Sequence, residues 1–375
     1  MKLLINGSNL SGGGGVQVAL SFILESRKFP GNEYYILASD KLYEELKNEK
    51  FPSNYIFYSI SLLHSNPIKK IVSIYKIKKI EKQIQPDSVF TIFGPAYWTP
   101  KSPHLVGFAL GHLIYPESPY FKSITLKERI YWEAISLIKK YFVKKNSSFY
   151  HVETQDAKKR LAKYLNHNPE KIFVVSNTYN PYFDNFQVSE TFILPPKDKN
   201  EYRLLLLSTY YSHKNFEIIN KITEIFSANN IENIKFVVTI NQNIFAAIFG
   251  AKNQYIINTG PIPANLCPQL YFECDALFLP TLVECFTANY PEAMKMKKPI
   301  LTSDLPFAHG ICGDAAIYFD PLKADDIVEK IVLLKNNPKL SKDLVEKGIE
   351  RLKEFDNSAK RTKKYLEICN CISTK

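Results

Sequence analysis

Residues 276–304 read ALFLPTLVECFTANYPEAMKMKKPILTSD, and the pattern of this stretch decides the fold. Its apolar opening, residues 276–279, predicts a short buried strand. A polar turn follows, and a helix is expected to begin between Phe286 and Pro291. A second apolar run, residues 299–302, predicts another buried strand. Strand, helix and strand in this order are typical of one unit of a parallel α/β sheet.

Two glutamates, Glu284 and Glu292, stand eight positions apart in this stretch. They bracket a turn and a helix N-terminus at the carboxyl end of a predicted parallel strand, which is where ligands bind in open α/β sheets. Amides at a helix N-terminus favour anions, whereas carboxylates hold hydroxyl groups. The pair therefore suits a ligand that carries both phosphates and hydroxyls, such as a nucleotide sugar. A helix-capping pair on a solvated turn is the alternative interpretation.

The length of 375 residues favours two domains over one hydrophobic core. Predicted strands and helices alternate in both halves, and the pattern restarts after a proline-containing stretch without periodicity. We predict a first domain at residues 1–185, a linker at 186–201 and a second domain at 202–355. A terminal helix at 356–375 is a candidate to pack back on the first domain.

The compartment is predicted from the N-terminus and the cysteines. MKLLINGSNL has a very short apolar run and resembles a first strand more than a signal peptide. No apolar run reaches the roughly 18 residues that span a bilayer. All six cysteines lie in the last third, without the spacing of a zinc site, so no metal is expected and free thiols in the cytoplasm are favoured.

The net charge of +11 attracts nucleic acid, an anionic membrane or an anionic substrate, and composition alone does not choose among them. A solvated lysine-rich surface is the fourth interpretation. Residues 126–145 mix aromatics with lysines, which predicts either a membrane-surface helix or a core helix with snorkelling lysines. The lysines that favour a membrane surface are Lys69, Lys70, Lys76, Lys78, Lys79, Lys139, Lys140, Lys144 and Lys145.

Two loops of the first half follow predicted strands. Residues 7–15, GSNLSGGGG, are predicted to form a loop before a helix at 16–26, and consecutive glycines let backbone approach a ligand closely. A flexible entry loop is the alternative. His112 follows the predicted strand at 105–109, where ligand contact and a structural role are equally compatible with the sequence.

The quoted motif resembles the signature of retaining glycosyltransferases of family 4, whose two facing Rossmann-like domains, with a cleft between them, form the GT-B architecture. Their pattern is Glu, seven residues, Glu, then Ala-Met, Pro-Ile/Val and Ser-Asp. The matching residues are Glu284, Glu292, Ala293, Met294, Pro299, Ile300, Ser303 and Asp304. SGGGGV, VETQDAKKRLAKYL, STYYSHKN and CGDAAIYFDPLKADDI extend the resemblance over nearly the whole chain.

The resemblance implies a role for each motif residue. Glu292 would bind the ribose hydroxyls of a nucleotide diphospho-sugar, Glu284 would lie by the sugar hydroxyls near the reacting face, and Lys214 would neutralise the diphosphate. His112 would lie near the sugar and the acceptor. The backbone groups expected to approach the donor phosphates belong to Phe286, Thr287, Ala288, Gly13 and Gly14.

The sequence departs from the family pattern at two places. Cys285 and Thr287 stand where the family has glycines, and the Thr287 hydroxyl offers a replacement donor to phosphate. The family's arginine before the lysine is absent, so one phosphate cation is either missing or supplied by His213.

The resemblance implies a hexosyltransferase-type retaining enzyme that uses no metal or other cofactor. Its partners would be a nucleotide-sugar donor and a saccharide or polyprenyl-linked acceptor in bacterial surface polysaccharide synthesis (O-antigen or capsule), with no nucleic acid. It would be cytoplasmic, with peripheral attachment to the anionic inner face of the plasma membrane through the basic first half. The alternatives are a sugar-nucleotide epimerase of the same architecture and a non-catalytic nucleic-acid- or carbohydrate-binding protein.

Overall fold

The computed structural model describes residues 1–63, 66–250 and 253–374. Contacts between residues divide the chain into two compact units. The first unit comprises Met1–Pro116, Ile124–Asn177 and Asp356–Lys375, and the second comprises Glu117–Ser123 and Thr178–Phe355. Residues 186–201 thus belong to the second unit, and residues 117–123 belong to it as well.

Within the described residues, the first unit is built on a parallel sheet of seven strands. The strands are β1 (Lys2–Gly7), β2 (Glu33–Ala38), β3 (Tyr55–Ser59), β4 (Ser88–Thr91), β5 (His104–Gly107), β6 (Phe149–Val152) and β7 (Ile172–Val174). Their order is β3-β2-β1-β4-β5-β6-β7, and every neighbouring pair is parallel. The order reverses between β1 and β4, which creates a switch point at their carboxyl ends.

Helices follow most of these strands. They are α1 (Gly13–Ser26), α2 (Asp40–Leu46), α3 (Pro67–Ile84), α4 (Gly111–Ile114), α6 (Leu126–Asn146) and α7 (Gln155–Leu165), with a 3-10 turn at Pro169–Lys171. Helix α5 (Tyr120–Ser123) stands between α4 and α6 in sequence but belongs to the second unit. Phe22 of α1 packs edge to face against Phe90 of β4 in the core, with ring centroids 5.1 Å apart. Helix α6 is buried only near its end, at Val143 and Asn146.

The glycine-rich stretch is partly helical, and the prediction of a loop through Gly15 was wrong. Helix α1 begins at Gly13, so three glycines form its first turn. Gly13 has a φ of 59°, in the left-handed region that glycine adopts without a steric penalty. Side-chain periodicity cannot reveal a helical turn that has no side chains, which is why the sequence pattern placed the start at Val16.

The described part of the second unit carries a parallel sheet of six strands. They are β8 (Tyr202–Leu206), β9 (Ile234–Val238), β10 (Ile256–Asn258), β11 (Ala276–Leu279), β12 (Ile300–Ser303) and β13 (Ala316–Phe319). The order is β10-β9-β8-β11-β12-β13, so the reversal falls between β8 and β11. The motif stretch thus supplies two central strands, β11 and β12, close to the positions that its apolar runs predicted.

The helices of the second unit cover this sheet. They are α8 (Ile218–Ala228), α9 (Gln242–Phe249), α10 (Cys267–Phe272), α11 (Asn289–Lys295), α12 (Pro306–Cys312), α13 (Ala324–Lys335) and α14 (Pro338–Leu352), with 3-10 turns at Pro181–Phe183, Ser212–Lys214 and Ala264–Leu266. Phe278 of β11 packs between Phe236 of β9 and Phe319 of β13, with ring centroids 5.2 and 5.5 Å away. Both units are therefore α/β layers around parallel sheets, as predicted.

The terminal helix α15 (Ser358–Ser373) belongs to the first unit, where it packs against α1. The buried Arg361 side chain holds it there by donating hydrogen bonds to Asn177 and, at 2.9 Å, to Ser21 Oγ. Lys375, the last residue of the predicted range, lies outside the described residues. No helix within the described residues combines the length and the apolar composition of a membrane span.

Candidate functional site

Two loops meet at the switch point of the second sheet. One follows β8 and ends in the 3-10 turn Ser212–Lys214, and the other follows β11. Because β8 and β11 pair directly, their carboxyl ends lie side by side. The amide of Leu282 donates to the carbonyl of His213 at 2.8 Å, which joins the two loops. This is the edge of a parallel sheet where ligands bind.

Lys214 and Glu284 form an ion pair between these loops. The Lys214 ammonium donates to Glu284 Oε1, and the side chains are only 12% and 15% exposed. Taking two charges out of water costs free energy unless each has a partner of opposite sign. The pair meets that requirement within the protein itself. An anion that binds Lys214 must therefore replace or share Glu284.

Glu292 lies in the first turn of α11 and faces α10. Tyr271 donates its hydroxyl to Glu292 Oε2 at 3.2 Å. Burial in this low-polarity site raises the pKa of Glu292 to about 7, although the hydrogen bond from Tyr271 opposes the shift. The carboxyl is therefore only partly ionised at neutral pH. In its ionised form it accepts hydrogen bonds only, so it can bind the O–H donors of hydroxyl groups.

The turn between the two glutamates does not require glycine. None of Cys285, Phe286 and Thr287 has a positive φ, so the family's glycines are replaced here without backbone strain. The Thr287 hydroxyl donates to Asn289 Oδ1 at 2.8 Å and so takes part in a local network at the start of α11. The suggestion that this hydroxyl faces a phosphate would require Thr287 to exchange that partner.

Residues 189–351 match the family model described as glycosyl transferases group 1. The match covers less than half of the chain, and we call the matching residues the group 1 domain. It contains Lys214, Glu284 and Glu292. The resemblance seen in the motif is confirmed at this level, while membership of family 4 in particular remains a prediction.

The whole chain has the fold of several solved glycosyltransferases. One from Rickettsia africae ESF-5 is 18% identical with a TM-score of 0.71, covering 99% of this chain and 98% of that one. Anabaena HepE, solved with UDP and glucose, is 11% identical with a TM-score of 0.71, covering 99% and 100%. WaaG, involved in lipopolysaccharide biosynthesis, is 14% identical with a TM-score of 0.71, covering 98% and 99%.

These similarities confirm the predicted GT-B fold class of two parallel sheets flanked by helices. At such low identity they establish the fold alone. No curated protein matches the sequence.

His213 precedes the lysine of the group 1 domain, and its ring stacks on Tyr211 with centroids 5.5 Å apart. Burial, with a smaller contribution from the Lys214 charge, lowers the pKa of His213 to about 3. The ring is therefore neutral at pH 7. It offers a hydrogen bond but no positive charge, so the family's missing arginine has no charged substitute at this position.

The other predicted site residues, Gly13, Gly14 and His112, lie in the first unit, outside the group 1 domain. His112 is in α4, and its ring stacks on Trp132 of α6 with centroids 4.7 Å apart and an interplanar angle of 4°. Lys139 places its ammonium 5.7 Å from the other ring of this stack, Trp132. One face of the His112 ring is thus covered by Trp132, which fixes its orientation.

The sequence patterns did not identify three residues near the site. Tyr271 contacts Glu292 but gives no signal in an apolar helix. Ser118 and Tyr120 lie 164 and 92 positions from the residues that they contact in the two loops, Leu282 and Ser212. No local pattern reports contacts at such separations.

Within residues 1–63, 66–250 and 253–374, no group of three or more histidine, cysteine, aspartate or glutamate side chains is arranged to hold a metal ion. The candidate site consists of one cation, two carboxylates and backbone amides.

Proposed function

We propose that the protein is a retaining hexosyltransferase that moves a sugar from a nucleotide diphospho-sugar to a saccharide or polyprenyl-linked acceptor. The observation that carries this proposal is the meeting of Lys214 and Glu284 at the switch point of a group 1 domain, with Glu292 in the following helix. One cation suits a diphosphate and two carboxylates suit hydroxyl groups, which are the two chemical halves of such a donor.

In this proposal the donor replaces the ion pair between Lys214 and Glu284 with its own contacts to both side chains. Its diphosphate accepts from Lys214, and the freed Glu284 carboxylate accepts from a hydroxyl of the sugar. Amides of Phe286, Thr287 and Ala288 lie just before α11, where peptide N–H groups favour negative charge. As the bond from the sugar to the diphosphate breaks, Lys214 stabilises the charge that develops on the leaving group.

Glu292 binds the ribose hydroxyls in its ionised form. Its partner Tyr271 occupies one oxygen, Oε2, which leaves Oε1 for the ligand. His213 donates a neutral hydrogen bond to the donor. These contacts need no metal, and we propose a metal-independent enzyme without other cofactors.

The first unit contributes the acceptor side in this proposal. Gly13 and Gly14 have open space where a Cβ would project, so a ligand can approach their backbone. His112, held by Trp132, lies near the sugar and acceptor. The sugar leaves and the acceptor attacks on the same face, which retains the configuration of the anomeric carbon.

Two structural neighbours support a hexose donor and a surface polysaccharide. HepE was solved with UDP-glucose, and WaaG acts in lipopolysaccharide biosynthesis. We therefore place this enzyme in the synthesis of a bacterial surface polysaccharide, acting in the cytoplasm on a lipid-linked acceptor.

A face of α3 and α6 that carries both lysines and exposed apolar side chains supports attachment of the first unit to an anionic membrane. On α3 the exposed apolar residues include Ile68 and Tyr75, each 70% exposed, and on α6 they include Leu137, also 70% exposed. Tyr97 connects the two helices, since Lys70 lies 5.1 Å from its ring and Phe142 packs 5.3 Å from it. Lysines alternate with apolar side chains on both helices, the composition that anionic lipid surfaces bind.

Vesicle co-sedimentation tests this face. The protein should bind phosphatidylglycerol-containing vesicles and bind pure phosphatidylcholine weakly. Lys144→Ala with Lys145→Ala should reduce binding by roughly fivefold per lysine. Lys339→Ala with Lys342→Ala on α14 is the matched control and should change nothing. Equal binding to both vesicle types would remove the membrane from the proposal.

Thermal unfolding with a panel of UDP-, GDP-, ADP- and TDP-sugars tests the donor site. One class should stabilise the protein by about 3 kcal/mol at a hundredfold excess over its Kd. Lys214→Ala should abolish this stabilisation, and Lys221→Ala, an exposed lysine of α8, should preserve it. Transfer of the sugar to an acceptor, with retained configuration, then identifies the reaction.

Each alternative predicts a different result. Interconversion of the nucleotide sugar without transfer would identify an epimerase. Absence of any nucleotide-sugar effect, together with duplex DNA binding that falls steeply with salt, would identify a binding protein.

A further inference from the structure

Residues 117–123, ESPYFKS, form a segment that we call the strap. The strap belongs to the second unit, although the residues before and after it in sequence belong to the first. Ser118 and Tyr120 are buried there. These residues thus contribute buried side chains to the second unit, although their neighbours in sequence belong to the first.

The strap makes one hydrogen bond to each loop of the donor site. Ser118 Oγ donates to the carbonyl of Leu282 at 2.7 Å, and the Tyr120 hydroxyl is 3.1 Å from Ser212 Oγ. Leu282 precedes Glu284 by two residues, and Ser212 precedes Lys214 by two residues. The strap therefore holds both loops immediately before their charged side chains.

Internal hydrogen bonds give the strap a defined shape. Ser118 Oγ accepts from the amide of Tyr120 at 3.1 Å, and the amide of Phe121 donates to the Ser118 carbonyl at 3.2 Å. Ser123 Oγ donates to the Tyr120 carbonyl at 2.8 Å. The Tyr120 ring also meets the His213 ring edge-on, with centroids 6.4 Å apart. Ser118 thus accepts from the first residue of α5 and donates to the loop after β11 with the same hydroxyl group.

We propose that the strap is a positioning element of the donor site, with Ser118 and Tyr120 as its positioning residues. It fixes the loops of Glu284 and Lys214 next to each other before the ligand arrives. A site whose loops are already ordered binds with a smaller loss of conformational entropy. The identity of the ligand rests on the proposed function, whereas the connection between strap and loops rests on the hydrogen bonds alone.

Tyr120→Phe tests the proposal because it removes only a hydroxyl. The probes are UDP, GDP, ADP and TDP, and the Kd of whichever binds wild type is measured by calorimetry. Tyr120→Phe should raise this Kd by about three- to tenfold, as loss of one hydrogen bond predicts. Ser212→Ala should have the same effect. The double variant Tyr120→Phe with Ser212→Ala should lose no more nucleotide affinity than either single variant. Ser118→Ala should also weaken binding.

The control is Tyr34→Phe, which removes a hydroxyl that donates to the Phe29 carbonyl at 3.0 Å in the first unit. It should leave the Kd unchanged. In a Lys214→Ala background, Tyr120→Phe should cause no further loss of nucleotide affinity. NMR titration up to millimolar nucleotide measures this weak binding.

An unchanged Kd in Tyr120→Phe, or an equal loss with and without Lys214, would overturn the positioning role. If wild type binds none of the four nucleotides, the proposed function itself fails, which separates the two conclusions.

Discussion

The two units share one topology, but the edges at their switch points differ in chemistry. In the first sheet, the ends of β1 and β4 carry neutral polar groups that satisfy one another: Asn6 donates to Thr91 at 3.1 Å, and Ser8 donates to Asn6 at 2.6 Å. In the second sheet, the loops after β8 and β11 carry the Lys214–Glu284 ion pair. The first edge is neutral, and the second holds charges that a ligand can compete for.

The difference shows how one fold is divided between two tasks. The sheet topology only creates a place for a ligand at each switch point, and the side chains decide what is bound there. A neutral edge with a glycine turn permits close backbone approach, whereas a charged edge binds a diphosphate and hydroxyls in the function that we propose. The following experiments change one edge at a time.

The largest effect is expected when the charged edge is changed. Glu284→Gln keeps the shape of the side chain but removes its charge, and we expect transfer activity (kcat/KM) to fall by about 10²- to 10³-fold. Steady-state kinetics with a saturating acceptor measures this. Thr91→Val at the neutral edge is the matched change. It should cost about 1–3 kcal/mol of unfolding free energy, because Asn6 loses a buried partner, while activity stays within about threefold.

Comparable loss of activity in both variants would contradict the division between the edges. It would mean that the neutral edge binds substrate through the Asn6–Thr91 network.

The second prediction concerns the buried charge of the first unit. Arg361→Ala removes the donor to Asn177 and Ser21 and should lower the unfolding free energy by about 2–4 kcal/mol. Its effect on nucleotide affinity should be negligible, because this charge stabilises the packing of α15. Urea unfolding and calorimetry give the two values. Lys360→Ala, the exposed neighbour, is the control, and a raised Kd in Arg361→Ala alone would assign that charge a part in binding.

The sequence predicted those features of the two edges that depend on short-range patterns. The apolar runs of residues 276–304 placed β11 and β12 close to their observed bounds, because buried parallel strands are short and continuously apolar. The spacing of Glu284 and Glu292 placed both carboxylates at the carboxyl end of β11. Alternation of strands and helices was sufficient to predict parallel sheets flanked by helices, whereas the GT-B fold class followed from the resemblance to a known family.

Features that depend on tertiary contacts could not be predicted. The ion pair joins residues 70 positions apart, and the strap contact from Ser118 to Leu282 spans 164 positions. The pKa of Glu292 depends on burial against Tyr271 of another helix, which its neighbours in sequence do not indicate. The start of α1 was misplaced because glycine contributes no hydrophobic periodicity.

The third prediction concerns the pH dependence of the charged edge. Glu292 has its pKa raised to about 7 by burial, so it becomes ionised as the pH rises through that value. If ribose hydroxyls donate to the ionised carboxylate, as we propose, nucleotide affinity should rise by roughly tenfold between pH 6 and 8. Calorimetry with the nucleotide that binds measures this. Glu292→Gln should bind more weakly and show no such rise.

Protein stability should change in the opposite direction. The folded state holds the Glu292 proton more tightly than the unfolded state, so stability is greatest below the unfolded pKa and falls as the pH rises through about 7. The loss should be on the order of 2 kcal/mol relative to Glu292→Gln, measured by urea unfolding. Parallel curves of stability against pH for the two proteins would mean that the pKa of the Glu292 carboxyl is not raised.

The smallest effect is expected at the glycine turn of the neutral edge. A Cβ at Gly14 meets no atom within 4 Å, and its φ is not positive, so Gly14→Ala should stabilise the protein by about 0.5–1 kcal/mol. Gly13→Ala should destabilise it by a similar amount, because its φ of 59° is strained for alanine. If the turn approaches the donor, Gly14→Ala should reduce transfer severalfold despite its greater stability. Unchanged transfer in Gly14→Ala would leave the glycines with a role in folding alone and assign donor binding to the charged edge.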